Sequence, residues 1–272
     1  MKKVVLIITF LILLMPFGFT VDRYSAEYLQ KNAKTGIINK KAEKYVENAL
    51  KSALKKNTKG DFSVKFNAYN LSSLKKGIFK HLEITGKDVT DKDVVIPYIH
   101  LKTLTDYNYI DYKKNPIEYK SDITFAFTMM LSENTINSAL EKSEYNKVLE
   151  NINKLAYPLF TAEKLRVKIM KNRLYMIVSY NFPIVKSSKD RVFVMSSDFY
   201  VSNGVIKAQD VVLESFKGKV QIEKYVNLAN LLNPLEFTVD FLESGKCDVN
   251  IENVNIIDNN VVVDGKMFIK GE

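Results

Sequence analysis

Residues 117–131 read IEYKSDITFAFTMML. Ile117, Tyr119, Ile123, Phe125, Phe127, Met129 and Leu131 fall on one parity, and Glu118, Lys120, Asp122, Thr124 and Thr128 on the other. Successive side chains of a strand point to opposite faces, so this period of two predicts a long strand with one face buried. Ser132 ends the alternation and has the chemistry of a helix N-cap. A helix is expected over about 133–142, then a second from Ser143 through Leu155, closed by Pro158.

The same period recurs on both sides. Phe62, Val64 and Phe66 alternate with polar residues, and Gly77–Ile84 and Ile96–Leu104 are further candidate strands. After the helical pair come Leu165–Met170, Leu174–Phe182 and Arg191–Val201. Ser202-Asn203-Gly204 is hairpin-turn chemistry leading into Val205–Leu213. A short helix is expected near 222–232, a strand over Leu235–Phe241, and a closing hairpin of Val249–Ile257 with Val261–Ile269. Strands joined by hairpin turns make antiparallel sheet, and the helices are too few for alternating βαβ units. The expected class is α+β: a long N-terminal helix packed against a highly curved, mainly antiparallel sheet, as a single domain over 22–272.

That helix is NKKAEKYVENALKSALKK, residues 39–56. Ala42, Tyr45, Val46, Ala49, Leu50, Ala53 and Leu54 form one apolar stripe, and Lys40, Lys44, Lys51 and Lys55 lie on another face. Residues 31–59 hold nine lysines against Glu43 and Glu47, which is +7 of the chain's net +9. A nucleic-acid-binding domain would spread its basic surface through the fold, so nucleic acid is not the expected partner. An anionic membrane surface is, because it attracts such segments by about 1 kcal/mol per Lys. Upstream, Met1-Lys2-Lys3 precedes an apolar run from Val4 to Phe19 that only Thr9 interrupts. A basic start followed by an apolar run is the layout of an export signal or a retained N-terminal anchor, assigned to residues 1–21. No cysteine follows the run directly, which excludes a lipoprotein anchor. The chain is therefore expected to be exported, either periplasmic or anchored in the inner membrane facing outward.

Catalytic patterns are absent from the reading. Ser52/Lys55 and Ser72/Lys75 satisfy S-x-x-K and Lys34-Thr35-Gly36 satisfies K-T-G, but the order and distances are those of chance in a lysine-rich chain. His81, His100 and Cys247 cannot build a His/Cys metal cluster. Asp88, Asp91 and Asp93 fall in TGKDVTDKD, read as a solvated turn without the glycine spacing of a calcium loop. No cofactor and no metal are expected, and the chain is read as a non-enzyme. What needs a partner is the lysine face and the apolar strand faces. A curved sheet closing on a helix has room for an acyl chain, whose burial contributes about 0.8 kcal/mol per CH₂. The expected lining is Val46, Leu50 and Leu54 from the helix, Ile123, Phe125, Phe127 and Met129 from one strand, and Met176, Val178 and Tyr180 from another.

Three stretches resemble the bacterial LmeA-like phospholipid-binding proteins. These are Leu71-Ser72-Ser73-Leu74-Lys75-Lys76-Gly77 before a strand, Thr135-Ile136-Asn137-Ser138-Ala139-Leu140 after a long strand, and Leu231-Leu232-Asn233-Pro234 ahead of a closing hairpin with Val263-Asp264-Gly265. The likeness spans about residues 38–270. It implies a tubular lipid-binding-like fold, a helix wrapped by a curved sheet, and binding of phospholipid or another acyl lipid in the envelope. The chain departs from that family in its wealth of lysine and aromatic residues. Two other readings stay open: a membrane-anchored assembly module that binds a protein partner through a sheet edge, and a hydrolase with a scattered site.

Overall fold

The computed structural model describes residues 37–91, 94–111, 114, 118–156, 161–181, 191–215, 218–221, 224–239 and 247–271. Residues 1–36, with the export signal or anchor assigned to 1–21, lie outside them. The fold is α+β with mainly antiparallel, open sheets. It begins with a helix, α1 (Ile37–Asn57), followed by β1 (Lys59–Asn67), α2 (Leu71–Lys75), β2 (Ile78–Phe79), β3 (His81–Asp91), β4 (Val94–Thr103), β5 (Asn108–Asp111), β6 (Glu118–Tyr119) and β7 (Ile123–Ser132). Then come α3 (Glu133–Leu140), α4 (Ser143–Ala156), β8 (Thr161–Met170), β9 (Arg173–Asn181), β10 (Arg191–Ser202), β11 (Val205–Ser215), β12 (Gly218–Gln221), α5 (Lys224–Leu231), α6 (Pro234–Val239), β13 (Cys247–Ile257) and β14 (Asn260–Ile269). One sheet runs β1-β3-β4-β7-β14-β13, a second β12-β11-β10-β9-β8, and a small third β2-β5-β6.

Strand β7 lies between β4 and β14, with Phe127 opposite both Leu101 and Gly265. Its burial alternates without a break, and Ile123, Phe125, Phe127, Met129 and Leu131 are all 2% exposed or less. Gly265 makes this possible. A Cβ there would stand 2.8 Å from the Phe127 ring and 2.5 Å from the Asn250 carbonyl, so the ring lies directly over glycine. The expected single strand over 117–131 is two strands in two sheets. The chain breaks at Lys120–Asp122, where the Lys120 N–H donates to the Tyr109 carbonyl and the Ser121 hydroxyl accepts from the Tyr109 N–H.

Two further expectations are corrected. The segment at Leu235–Phe241 is helical through Val239. The Asn233 side chain accepts from the N–H groups of Leu235 and Glu236, and Pro234 occupies the first helical position, where its missing N–H costs nothing. Likewise, TGKDVTDKD is strand as far as Asp91. Asp88 takes a left-handed backbone with φ 49°. After it the buried parity passes from Ile84 to Val89, which hides the strand from a strict period of two. Asp210 repeats the device in β11, again with φ 49°, ahead of buried Val211.

Helix side chains bond the open edges at β1 and β8 and the first half of β11, before it pairs with β12. Against β1, Glu47 and Glu43 of α1 accept from the N–H groups of Phe66 (3.1 Å) and Ala68 (2.8 Å). Against β8, Asn137 of α3 takes both backbone groups of Val167, at 2.8 and 3.0 Å. Glu133 accepts from Ile169 N–H, and Asn153 of α4 clamps both groups of Ala162. Against β11, Asn230 accepts from Ala208 N–H and Asn233 donates to the Ile206 carbonyl. Removing one partner of a buried pair leaves the other with its full desolvation cost. Asn137→Ala orphans two backbone groups and is expected to lower stability by about 2–4 kcal/mol, read as a lower urea midpoint with unchanged slope.

Candidate functional site

Helix α1 has two faces. Ala42, Val46, Leu50, Ala53 and Leu54 are buried, and Lys40, Lys41, Lys44, Lys51, Lys55 and Lys56 are exposed. Tyr45, expected in the apolar stripe, is instead half exposed at its margin. The helix's two carboxylates sit between the faces and turn toward β1, where the backbone occupies one oxygen of each. Lys44 still reaches the other Glu47 oxygen at 3.0 Å, and Lys55 lies 3.8 Å from Asp61. The outer surface of α1 is thus strongly positive. Its end is bonded by Asn57 and Thr58, whose side chains donate to the carbonyls of Ala53 and Leu54.

The ten residues expected to line an acyl chain lie on three elements. Val46, Leu50 and Leu54 are on α1, Ile123, Phe125, Phe127 and Met129 on β7, and Met176 and Val178 on β9; all nine are 3% exposed or less and belong to one contiguous core. Tyr180 is half-buried at the core's edge, its ring 5.5 Å from that of Phe193. The two strands belong to different sheets, so these side chains join the sheets through the common core.

A feature that the sequence reading missed lies where the sheets meet. Ile251 of β13 donates its N–H to the Gly204 carbonyl in the β10–β11 turn. Beside that bond is a cavity of about 50 Å³, lined by Gly204, Val205, Ile206, Glu236, Val239, Val249 and Ile251. Its volume is well below the roughly 300 Å³ at which small-molecule sites begin. The expectation of a strand at 235–241 concealed it, since a strand there would not bring Glu236 beside Gly204. Partial burial raises the Glu236 pKa, and Lys207 opposes the rise. A carboxyl whose pKa is higher folded than unfolded favours the fold while protonated, and that contribution is lost as pH rises through the folded pKa. Glu236→Gln is therefore expected to raise the thermal midpoint at neutral pH and leave it unchanged in acid, a difference that scans at two pH values will read.

His81 and His100 meet the hydroxyls of Thr103 and Thr85 at 2.9 and 3.0 Å. Among the described residues no group of three or more His, Cys, Asp and Glu side chains stands close enough to hold a metal ion. Within the same residues no helix is long and apolar enough to cross a membrane. Cys247, the chain's single cysteine, is buried.

No family model matches the chain, and neither the curated proteins nor the solved structures yield a match.

Proposed function

We propose that this chain is a non-enzymatic phospholipid-binding protein of the bacterial envelope, working at an anionic membrane surface. The observation that carries this reading is the division of α1. Its apolar stripe is buried, its carboxylates are drawn off to the β1 backbone, and its lysines face outward. Acyl chains would lie between α1 and the inner strand faces, against Val46, Leu50, Leu54 and the β7 and β9 residues named above. The resemblance to the LmeA-like proteins supports the same reading. A partner docking through a sheet edge is less well supported, because helix side chains already occupy backbone groups along β1, β8 and β11.

The test is direct. The full chain, purified in mild detergent, is expected to carry phospholipid detectable by mass spectrometry and to bind phosphatidylglycerol vesicles at low salt. Changing Lys40, Lys44, Lys51 and Lys55 together to Glu is expected to weaken vesicle binding by about 100-fold or more, at up to ~1 kcal/mol per lysine removed, least for those farthest from the surface. A chain without lipid, whose weak vesicle binding ignores both salt and the four substitutions, would refute the proposal.

A further inference from the structure

One end of the molecule gathers exposed apolar side chains inside a basic rim. Tyr69 follows β1, and Leu104 and Tyr107 follow β4; their exposures are 43, 49 and 52%. The two loops touch, since the Tyr69 hydroxyl donates to the Asp106 carbonyl. Asn108 holds the second loop to the next turn, donating to the Lys80 carbonyl at 3.1 Å and to the Thr105 carbonyl at 3.0 Å.

The rim comes from three elements. Glu43 binds Ala68 and Glu47 binds Phe66, so α1 runs antiparallel to β1 and its N-terminal half stands beside the Tyr69 loop. That half presents Lys40, Lys41 and Lys44. The short α2 packs on both α1 and β2 and ends in Lys75 and Lys76. Lys80 occupies the turn into β3, its N–H on the Asn67 carbonyl. Asp106 is the single carboxylate among the loop residues 68–70 and 104–108. Residue 37, where the described chain begins, also belongs to this end, and the apolar run 4–19 precedes it in the sequence.

We infer that this end, with Tyr69, Leu104 and Tyr107 inserted among head groups and the lysines around them on phosphates, is the surface that seats on an anionic lipid bilayer. Tyrosine suits the boundary because its ring is apolar and its hydroxyl remains wet. The lysine rim selects an anionic surface over a neutral one. In this seating α1 stands upright. Lys51 and Lys55 then lie about 10 and 16 Å farther along the helix than Lys44, at or beyond a Debye length in physiological salt. The inference rests on the lipid reading above and adds to it the face of contact.

The chain contains no tryptophan, so a single introduced one reports its own surroundings. The full chain carrying Tyr107→Trp is reconstituted with equimolar phosphatidylglycerol and phosphatidylcholine brominated in their acyl chains. Tyr200→Trp, at an exposed position of β10, is the control. Strong quenching and a blue shift at position 107, with neither at 200, are expected. In addition, Lys40, Lys41 and Lys44 changed together to Ala should weaken binding to the same vesicles about 10- to 100-fold, and Lys51, Lys55 and Lys56 changed together much less. Position 107 unquenched, or both positions quenched alike, overturns the seating even if phospholipid co-purifies. Equal effects of the two lysine triplets would place α1 flat on the membrane and overturn it too. Co-purifying lipid reports only on the carrier reading, so the two can fail separately.

Discussion

Sheets that do not close leave rows of backbone N–H and C=O groups along their edges, and each such group removed from water must find a partner. Here the partners are carboxylate and amide side chains projecting from helices. An asparagine suits the task because its amide offers one acceptor and two donors, so Asn137 and Asn153 each bind both groups of one β8 residue as another strand would. The helices are thus located by polar contacts as well as by apolar burial. A stripe of Leu, Val and Ala will slide along a sheet at little cost. Two glutamates bonded to the N–H groups of Phe66 at the end of β1 and of Ala68 just after it fix where α1 lies along the strand.

This division explains what was legible in the sequence. Periodicity reports burial, and the elements that obey it, α1, β7, β9 and β14, fall close to where the pattern places them. Where backbone geometry interrupts the parity, as at Asp88 and Asp210, alternation reads as a loop or ends early. Asn233-Pro234 was a helix start in plain view, since asparagine caps and proline fits the first turn. The alternating Leu235, Phe237 and Val239 masked it. The edge clamps were not legible at all. Asn137 and Val167 are thirty residues apart, and nothing local to either announces the bond.

The motifs behind the family resemblance acquire a physical meaning in the same terms. Thr135 shares a capping box with Ser132 and donates to the Val95 carbonyl, Asn137 clamps β8, and Leu140 is buried. Asn233 both caps α6 and binds β11. Asp264 accepts from the Thr128 hydroxyl, and Gly265 leaves room for Phe127. Asn70 caps α2, and Gly77 takes φ 85°. Every one of these residues holds elements together. They carry information about architecture, and the exposed lysines of α1 lie outside these motifs.

The dense core raises an energetic question for lipid binding, because the nominated lining residues now pack on one another. Separating α1 from the sheet breaks the bonds of Glu43 and Glu47 to the β1 backbone, at about 1.5–3 kcal/mol each for a charged group. The apolar contacts between α1 and the sheet need not be lost to water, since an acyl chain would replace them with contacts of the same kind. A dozen buried methylenes contribute roughly 10 kcal/mol, more than the two carboxylate bonds together. The balance favours entry only if the side chains that part remain covered by lipid. Strands whose buried faces carry Phe, Met and Ile meet that condition better than a core with polar groups would, since each of these side chains is satisfied by any apolar neighbour.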